Sequence, residues 1–330
     1  MDDTLGEDEG AREIDADMEF PLWNWGQRSA GQDVAESAKV ASGLRAKVIK
    51  LRIAGWVRDA LWEIELHKNR YEMALKAYQV SGKLVNTVKR RVELGDLPKS
   101  DLLFAQTDLL QKKTELVNAE AEQMHTRKHY SSLTLLEKIP ETFKEEQEPV
   151  HDITSSHPVL TMMEAMIKRK RAELKWVKSE GSGQTILALG AKSERDSREE
   201  DSITGMSVAI NVPFGGGAHL APEIAEANLE LTEAMAQRDQ MYRTLEKAMH
   251  KAEHVVEIDK STLAIAEEKE KIAREHYRMA KLSFDSGEIN LMDLLKIQAR
   301  TYDAIKEASE NAIKLQRDVA LYNQAVGVLP

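Results

Sequence analysis

Gly95-Asp96-Leu97-Pro98-Lys99-Ser100-Asp101-Leu102-Leu103 and Gly287-Glu288-Ile289-Asn290-Leu291-Met292-Asp293-Leu294-Leu295 stand 192 positions apart. Glycine, aspartate and two leucines coincide in the two stretches. The same offset relates Pro21 to Pro213, Gln106 to Gln298, Glu115 to Glu307 and Tyr130 to Tyr322. A single gap-free offset that holds over more than 100 residues is the signature of an internal repeat. The chain is therefore read as two copies of one unit.

Each unit reads as a short strand, a Pro/Gly corner, a long helix, a tight turn at glycine and a shorter returning helix. The strand of the first copy puts Ile14, Ala16, Met18 and Phe20 on one face and Glu13, Asp15, Asp17 and Glu19 on the other. Its counterpart alternates Met206, Val208, Ile210 and Val212 with Ser207, Ala209 and Asn211. Period-2 alternation marks a strand with one apolar and one polar face. A further strand is predicted over Gln184–Ser193, joined to it by the charged loop Glu194–Asp201. Helices are predicted over 31–93, 99–136, 157–179, 222–284 and 290–325. Pro21, Pro98, Pro140, Pro149, Pro158 and Pro213 read as breaks, and Pro222 as a helix start. Glu223–Ser286 holds neither proline nor glycine; helical throughout, it would reach roughly 96 Å at about 1.5 Å per residue. Such length points to a coiled coil or a helical tube. Its many alanines serve either close helix packing or simple helix propensity.

The repeats divide the chain at residue 140: a first, partial repeat over 1–140 and a second over 141–330 with helix, hairpin, long helix and return helix. Shifted back by 192, the segment 157–193 falls before Met1. The acidic start Asp2, Asp3, Glu7, Asp8 and Glu9 then corresponds to the charged hairpin loop, and the sequence is expected to be an N-terminally incomplete version of a longer protein.

Composition removes several functional classes. The 330 residues contain no cysteine, which excludes disulfides, thiolate metal sites and a cysteine nucleophile. A net charge of −10 disfavours a nucleic-acid role, which depends on neutralising phosphates. No apolar run is long enough for a transmembrane helix, which leaves a strand-built membrane protein open. MDDTLGEDEG lacks the basic and apolar regions of a signal peptide. No catalytic constellation is present, so the chain is not read as an enzyme. Gly215-Gly216-Gly217 follows a strand but lacks the Lys-Ser/Thr of a nucleotide loop, and reads as a strand-to-helix corner. The helical pairs His125/His129 and His250/His254 read as solvated positions. No cofactor and no metal is expected.

Taken in order, several motifs resemble the TolC-like outer-membrane efflux proteins, the outer-membrane components of tripartite pumps. They are Phe20-Pro21-Leu22 and Val212-Pro213-Phe214-Gly215-Gly216, the tip segments Arg91–Leu97 and Ser286–Ile289, each followed by Asp-Leu-Leu, His157-Pro158, and the ending Tyr322-Asn323-Gln324-Ala325-Val326-Gly327. The resemblance covers about residues 13–330. It implies a mainly α fold with a small β part. Long antiparallel helices would form a periplasmic tube, and each chain of a homotrimer would add strands to one shared transmembrane β-barrel. It also implies an outer-membrane location with a periplasmic extension, a periplasmic adaptor and an inner-membrane pump as partners, and passive export of small molecules or metal ions. A soluble coiled-coil scaffold is the alternative.

The resemblance further implies roles for particular residues. Arg91, Leu94, Gly95, Leu97, Phe284, Ser286, Gly287 and Ile289 are candidate adaptor contacts at the helix tips; the plain alternative is that they only form turns. Asp293 falls where the family places an acidic residue lining the closed entrance, and it can equally cap its helix. The second acidic residue of that entrance is Lys296 here, and the latching tyrosine and arginine of the family are Phe284 and Ile289, so that latch is not carried over. Trp23 and Trp25 are candidate membrane-interface anchors, or else pack on neighbouring helices.

Overall fold

The computed structural model describes residues 12–195, 201–215 and 217–330. The acidic start at Asp2–Glu9, part of the Glu194–Asp201 loop and Gly216 lie outside the described residues. Chain order is β1 (Arg12–Leu22), α1 (Gln27–Glu93), α2 (Lys99–Thr134), α3 (Pro158–Ser179), β2 (Thr185–Arg195), β3 (Ile203–Asn211), α4 (Gly217–Asp285) and α5 (Leu291–Ala325). All five helices and three strands of the sequence reading are present, most with ends shifted by one to four residues. Two prolines behave differently from the expectation. β1 runs on through Pro21 to Leu22, because β1 is an edge strand, where a missing N–H is tolerated. Pro222 lies inside α4, five residues after its start. There its fixed φ suits the helix, and it removes only one hydrogen bond near the terminus.

The chain forms two compact units, Met1–Ala46 with Val159–Met241, and Lys47–Pro158 with Tyr242–Pro330. Each draws on both sequence repeats.

The first unit holds the sheet. β2 lies between β1 and β3, antiparallel to both. Direct cross-strand rows run Ala16–Ala191–Met206, Met18–Leu189–Val208 and Phe20–Leu187–Ile210. Rows on the opposite face run Asp15–Lys192–Gly205, Asp17–Gly190–Ser207 and Glu19–Ala188–Ala209. Over these rows one face is apolar and the other mainly polar; the next rows out, Ile14–Ser193–Thr204 and Glu13–Glu194–Ile203, are mixed. α3 packs on the first part of α1 and of α4. Lys175 pairs with Asp33 on α1 at 2.8 Å, and Lys170 with Glu230 on α4 at 2.9 Å.

In the second unit, hydrogen bonds join the helices in the order α2, α1, α5, α4. Ser81 donates to Asp108 at 2.7 Å between α1 and α2. Arg70 meets Glu310 at 2.7 Å between α1 and α5, and Lys314 meets Asp259 at 2.7 Å between α5 and α4. The alanines divide between the two expected roles: Ala266 and Ala280 are buried, while Ala264 is exposed and serves helix propensity.

Residues 135–157 cross this unit without regular structure, and a polar knot fastens them. Arg58, only 4% exposed, donates to both carboxylate oxygens of Glu145 at 2.7 and 2.8 Å, to Gln324 Oε1 at 2.6 Å and to the Val328 carbonyl at 3.2 Å. Asn323 accepts from the Glu148 amide and donates to the Glu146 carbonyl, Gln324 donates to the Leu51 carbonyl, and Tyr322 donates to the Val150 carbonyl. The Tyr322-Asn323-Gln324 ending is therefore a clasp. Phe143 adds an edge contact to Trp62, with ring centroids 4.9 Å apart. Arg58→Ala is expected to destabilise by up to about 3 kcal/mol, since it removes the ion-pair partner of Glu145 and leaves that carboxylate only the hydrogen bond from Asn323 at 3.0 Å. Arg58→Lys is expected to recover only part of that, lacking the fork. Chemical unfolding of both variants checks this; equal stability of Arg58→Ala and the parent contradicts it.

Candidate functional site

Two turns in the second unit carry most of the residues singled out by sequence. Gly95 and Gly287 adopt φ of +84° and +81°. Around each, the same three backbone bonds recur at the repeat offset. Leu94 N donates to Arg90 O, Gly95 N to Val92 O and Asp96 N to Arg91 O; Ser286 N donates to Leu282 O, Gly287 N to Phe284 O and Glu288 N to Ser283 O. This double closure satisfies the last carbonyls of a helix and requires a left-handed residue, which glycine supplies without steric cost.

The two turns are held side by side. Val88, Ala105, Ala280, Phe284, Leu291 and Leu294 form a buried cluster, and Leu97 and Ile289 pack partly against it. Arg91 spans the two hairpins: its Nη1 donates to the Phe284 carbonyl at 3.0 Å and its guanidinium lies 5.0 Å from the Phe284 ring centroid. Phe284 itself is 2% exposed, so within this chain its side chain fastens the hairpins together and is not presented outward. Leu94, at 71% exposure, is a large apolar side chain that the tips offer to solvent. Gly95, Ser286 and Gly287 are exposed beside it.

Asp293 stands in the first turn of α5. Its amide donates to Asn290 Oδ1 at 2.9 Å, and Asn290 Nδ2 donates back to its carboxylate at 2.9 Å. Lys296 lies 3.5 Å from the other carboxylate oxygen. The side chain is thus engaged in capping, with its charge partly offset by the lysine.

In the first unit, the apolar sheet face is open to solvent: Met18, Leu189, Met206, Val208 and Ile210 are all exposed, Met206 to 91%. The opposite face carries Glu13, Asp15, Asp17 and Glu19, with Lys192 bonded to Glu13 at 2.5 Å and to Glu194 at 3.2 Å. At Gly190 the side chains of Asp17 and Ser207 lie over the backbone, and a Cβ there would have to push them aside. Aromatic side chains gather where the strands end. Trp25 is fully exposed and Trp23 more than half so, its ring meeting Trp176 edge-on at 6.1 Å. Phe214, just past β3, is almost fully exposed. Trp176 rests directly over Gly31 of α1, where any Cβ would overlap its ring. The strand-to-helix corner is tied by Asn24, which donates to the carbonyls of Glu180 and Gly183 at 2.7 and 3.1 Å. Trp23 therefore both packs and remains exposed, while Trp25 has only solvent around it. Phe214 entered the sequence reading only as part of a corner motif and Trp176 not at all; the signal for Trp176 was a glycine inside a long helix.

A second group missed by sequence is the carboxyl pair Asp259 and Asp318, both buried. Burial, the hydrogen bond with Asp259 and the charge of Asp259 push Asp318 up to about 6, against the opposing pull of Arg317 and Lys314. For Asp259, burial works to raise the value, but hydrogen bonds with Asp318 and Lys314 hold it below the ordinary one. Among the described residues no group of three or more His, Cys, Asp or Glu is placed to hold a metal ion.

No protein-family model and no curated protein matches the chain by sequence. Solved structures match by fold. The chain is similar to the outer membrane protein VceC of Vibrio cholerae, with TM-score 0.75 and 14% identity over 97% of this chain and 88% of that one. It is also similar to the CmeC outer membrane channel of Campylobacter jejuni, with TM-score 0.72 and 13% identity over 96% and 77%. A third match is the CusC transmembrane channel protein, with TM-score 0.76 and 9% identity over 96% and 83%.

A carboxyl whose folded pKa lies above its unfolded value binds its proton more tightly when folded. The stability contributed by Asp318 is therefore full below about 4, its unfolded value, and is lost as pH rises towards about 6. Asp318→Asn is expected to flatten the fall in stability between about pH 4 and about pH 6. Unfolding midpoints measured at stepped pH read this directly, and an unchanged slope contradicts it.

Proposed function

We propose that this chain, which has the fold of the TolC-like outer-membrane efflux channels, is the outer-membrane duct of a tripartite export system. It acts as a passive conduit from the periplasm across the outer membrane for small molecules or metal ions. The observation that carries this reading is the two-faced sheet. Three adjacent strands expose a continuous apolar surface on one side and carboxylates on the other. A sheet buried in a globular core would cover its apolar face. A barrel wall in lipid turns that face outward and its polar face to water. Closure is required, because an open strand edge has no partner in hydrocarbon. β1 and β3 are the edges of this sheet; copies arranged as a homotrimer bring further strands to those edges, but three strands per chain, with β1 and β3 running the same way, do not make a complete all-antiparallel wall.

The remaining placements follow from that orientation. Trp23, Trp25 and Phe214, at the strand ends next to the helices, sit at the inner membrane interface, where aromatic rings are favoured. The helical part extends into the periplasm as two repeats, 1–140 and 141–330, each contributing one hairpin. The glycine tips meet the periplasmic adaptor. Leu94, Gly95, Ser286 and Gly287 make the contact; Leu97 and Ile289 shape it from below; Arg91 and Phe284 hold the two tips in register. Asp293 lines the entrance with its charge moderated by Lys296. The inner-membrane pump supplies the energy.

The cysteine-free sequence makes the sheet reading testable. Cysteines placed singly at Asp15, Asp17 and Ser207 are expected to react with a membrane-impermeant thiol reagent in outer-membrane preparations, and cysteines at Met18, Val208 and Ile210 to be protected. Uniform labelling, with the protein in the soluble fraction, favours the scaffold reading instead.

Leu94→Glu tests the tip. Because Leu94 is exposed, folding stability is expected to change by no more than about 0.5 kcal/mol, while export in a strain carrying the cognate pump falls. Unchanged export with normal expression reduces the tip to a turn.

A further inference from the structure

One stretch of α1 in the second unit is the floor of an apolar cavity of about 700 Å³, a volume in the range of small-molecule sites. Ile53, Val57 and Leu61 line it at helical spacing, and Trp62 closes its inner end with Phe143 edge-on against it. Leu61 belongs to a buried cluster with Ala60, Ile64 and Tyr130, on which Val57 and Phe143 also pack. Pro140 and Phe143 of the crossing segment form one wall, and Leu329 and Pro330 the other. Ile53 and Leu329 stay almost half exposed, and nothing among the described residues fills the space between the walls.

The walls are not free to collapse onto each other. Arg58 rises from the floor between them and bonds to both: to Glu145 of the crossing segment, and to Gln324 and the Val328 carbonyl of the tail. One buried guanidinium thus fixes the width of the opening, and the cavity is held ready before anything enters it. Arg58 and Glu145 offset each other's charge. Two further cations line the space, Lys50 and Lys144. Both are exposed, and neither side chain has a hydrogen-bond or ion-pair partner among the described residues. Among the described residues no carboxylate side chain other than Glu145 lines the cavity, so its two lysines are uncompensated. Lys50 lies about 18 Å along α1 from Trp62, at the end opposite the aromatic pair.

We propose that this cavity binds a single-chain amphiphile with an anionic head, of the free fatty acid class. The apolar chain lies along Ile53, Val57 and Leu61 towards the Trp62–Phe143 pair. The carboxylate faces Lys50, and Lys144 adds its charge from the crossing segment. Two effects select this class. Burial of a hydrocarbon chain against apolar walls supplies affinity in proportion to area. A carboxylate at the open end stays in contact with water and meets an unpaired ammonium, so neither charge is stranded. A neutral amphiphile of the same length gains the first effect without the second, and a small hydrophilic anion gains the second without the first. The site lies apart from the sheet and the glycine tips, and it does not depend on the chain's acting as a duct.

Equilibrium dialysis of the full chain against radiolabelled dodecanoate, kept below its micellar concentration, tests this. Saturation at one dodecanoate per chain is expected. Ala54 also lines the floor, and Ala54→Trp, which fills the cavity, is expected to abolish the saturable uptake. Lys50→Glu is expected to weaken binding about tenfold or more, as loss of a charged hydrogen bond does, and Lys144→Glu to weaken it less. Both lysines are exposed, so these two variants are expected to fold like the parent and carry the test even if Ala54→Trp does not fold. Dodecanol, with the same chain and no charge, is expected to bind at least about tenfold more weakly than dodecanoate. Absence of saturable dodecanoate uptake overturns the site. Unchanged uptake by folded Ala54→Trp overturns it as well, because the ligand is then bound elsewhere. Equal binding of dodecanol, or indifference to both lysine variants, overturns the anionic class. A larger loss with Lys144→Glu than with Lys50→Glu overturns the orientation of the ligand.

Discussion

Each long helix of this chain reverses at a single left-handed glycine, and the remaining geometry of the helical part follows from where those two glycines stand. Gly95 and Gly287 carry the same φ within 3° and the same hydrogen-bond closure. The two hairpins therefore turn at equal distances along their helices. Equal turning lets Val88 and Ala280, which are repeat equivalents, enter one buried cluster with Phe284 and Leu294. A side chain with a Cβ would have to hold positive φ at a cost of about 1 kcal/mol or more. A one-residue slip at either turn would also rotate every later contact by about 100°. Arg91 completes the arrangement by bonding to the backbone of the other hairpin through the Phe284 carbonyl, a contact that depends on relative height and not on side-chain identity across the gap.

The sheet depends on a different constraint, the parity of its strands. β1 and β3 are repeat equivalents that flank the same middle strand, and in both the apolar residues face the same way. Parity has to survive the corner into the helix, and small and rigid residues there preserve it. Asn24 ties the first corner to the carbonyls of Glu180 and Gly183, while Pro213 of the second corner packs on Gly183. An extra residue in either strand would turn its apolar face to the polar side. The duplication thus matters chemically as well as historically: two strands made from one pattern give a sheet with one mainly apolar and one mainly polar surface.

The helices, the strands, their faces and the turn glycines were legible because each depends on local periodicity, on proline and glycine chemistry, or on the 192-residue offset. What was not legible depends on residues far apart in sequence. Nothing near Arg58 announces that it will be buried, since its partners Glu145, Gln324 and Val328 come from distant segments. Asp318 looked like any acidic residue on a polar helix until Asp259 was found beside it. Phe284 carried a family expectation of exposure at the tip, and the Arg91 contact turned it inward. Pro21 was read as a break and Pro222 as a helix start because proline lacks a donor, yet an edge strand and an early helical position tolerate that loss.

The side-chain sizes within the helical part explain why a single copy leaves so much apolar surface uncovered. Where α1, α4 and α5 meet their neighbours, the buried residues are often alanine: Ala60, Ala77, Ala266, Ala280, Ala304 and Ala308. Small residues allow close approach but bury little area each, and apolar stabilisation scales with area at about 25 cal/mol per Å². On α4 the larger Ile265, one position before Ala266, and Ile272 are exposed. A bundle meant to stand alone would place its large residues inward and its small ones outward. Here both kinds occur: Trp62, Val88, Met249, Phe284 and Leu294 are buried beside these alanines, while other large side chains stay at the surface.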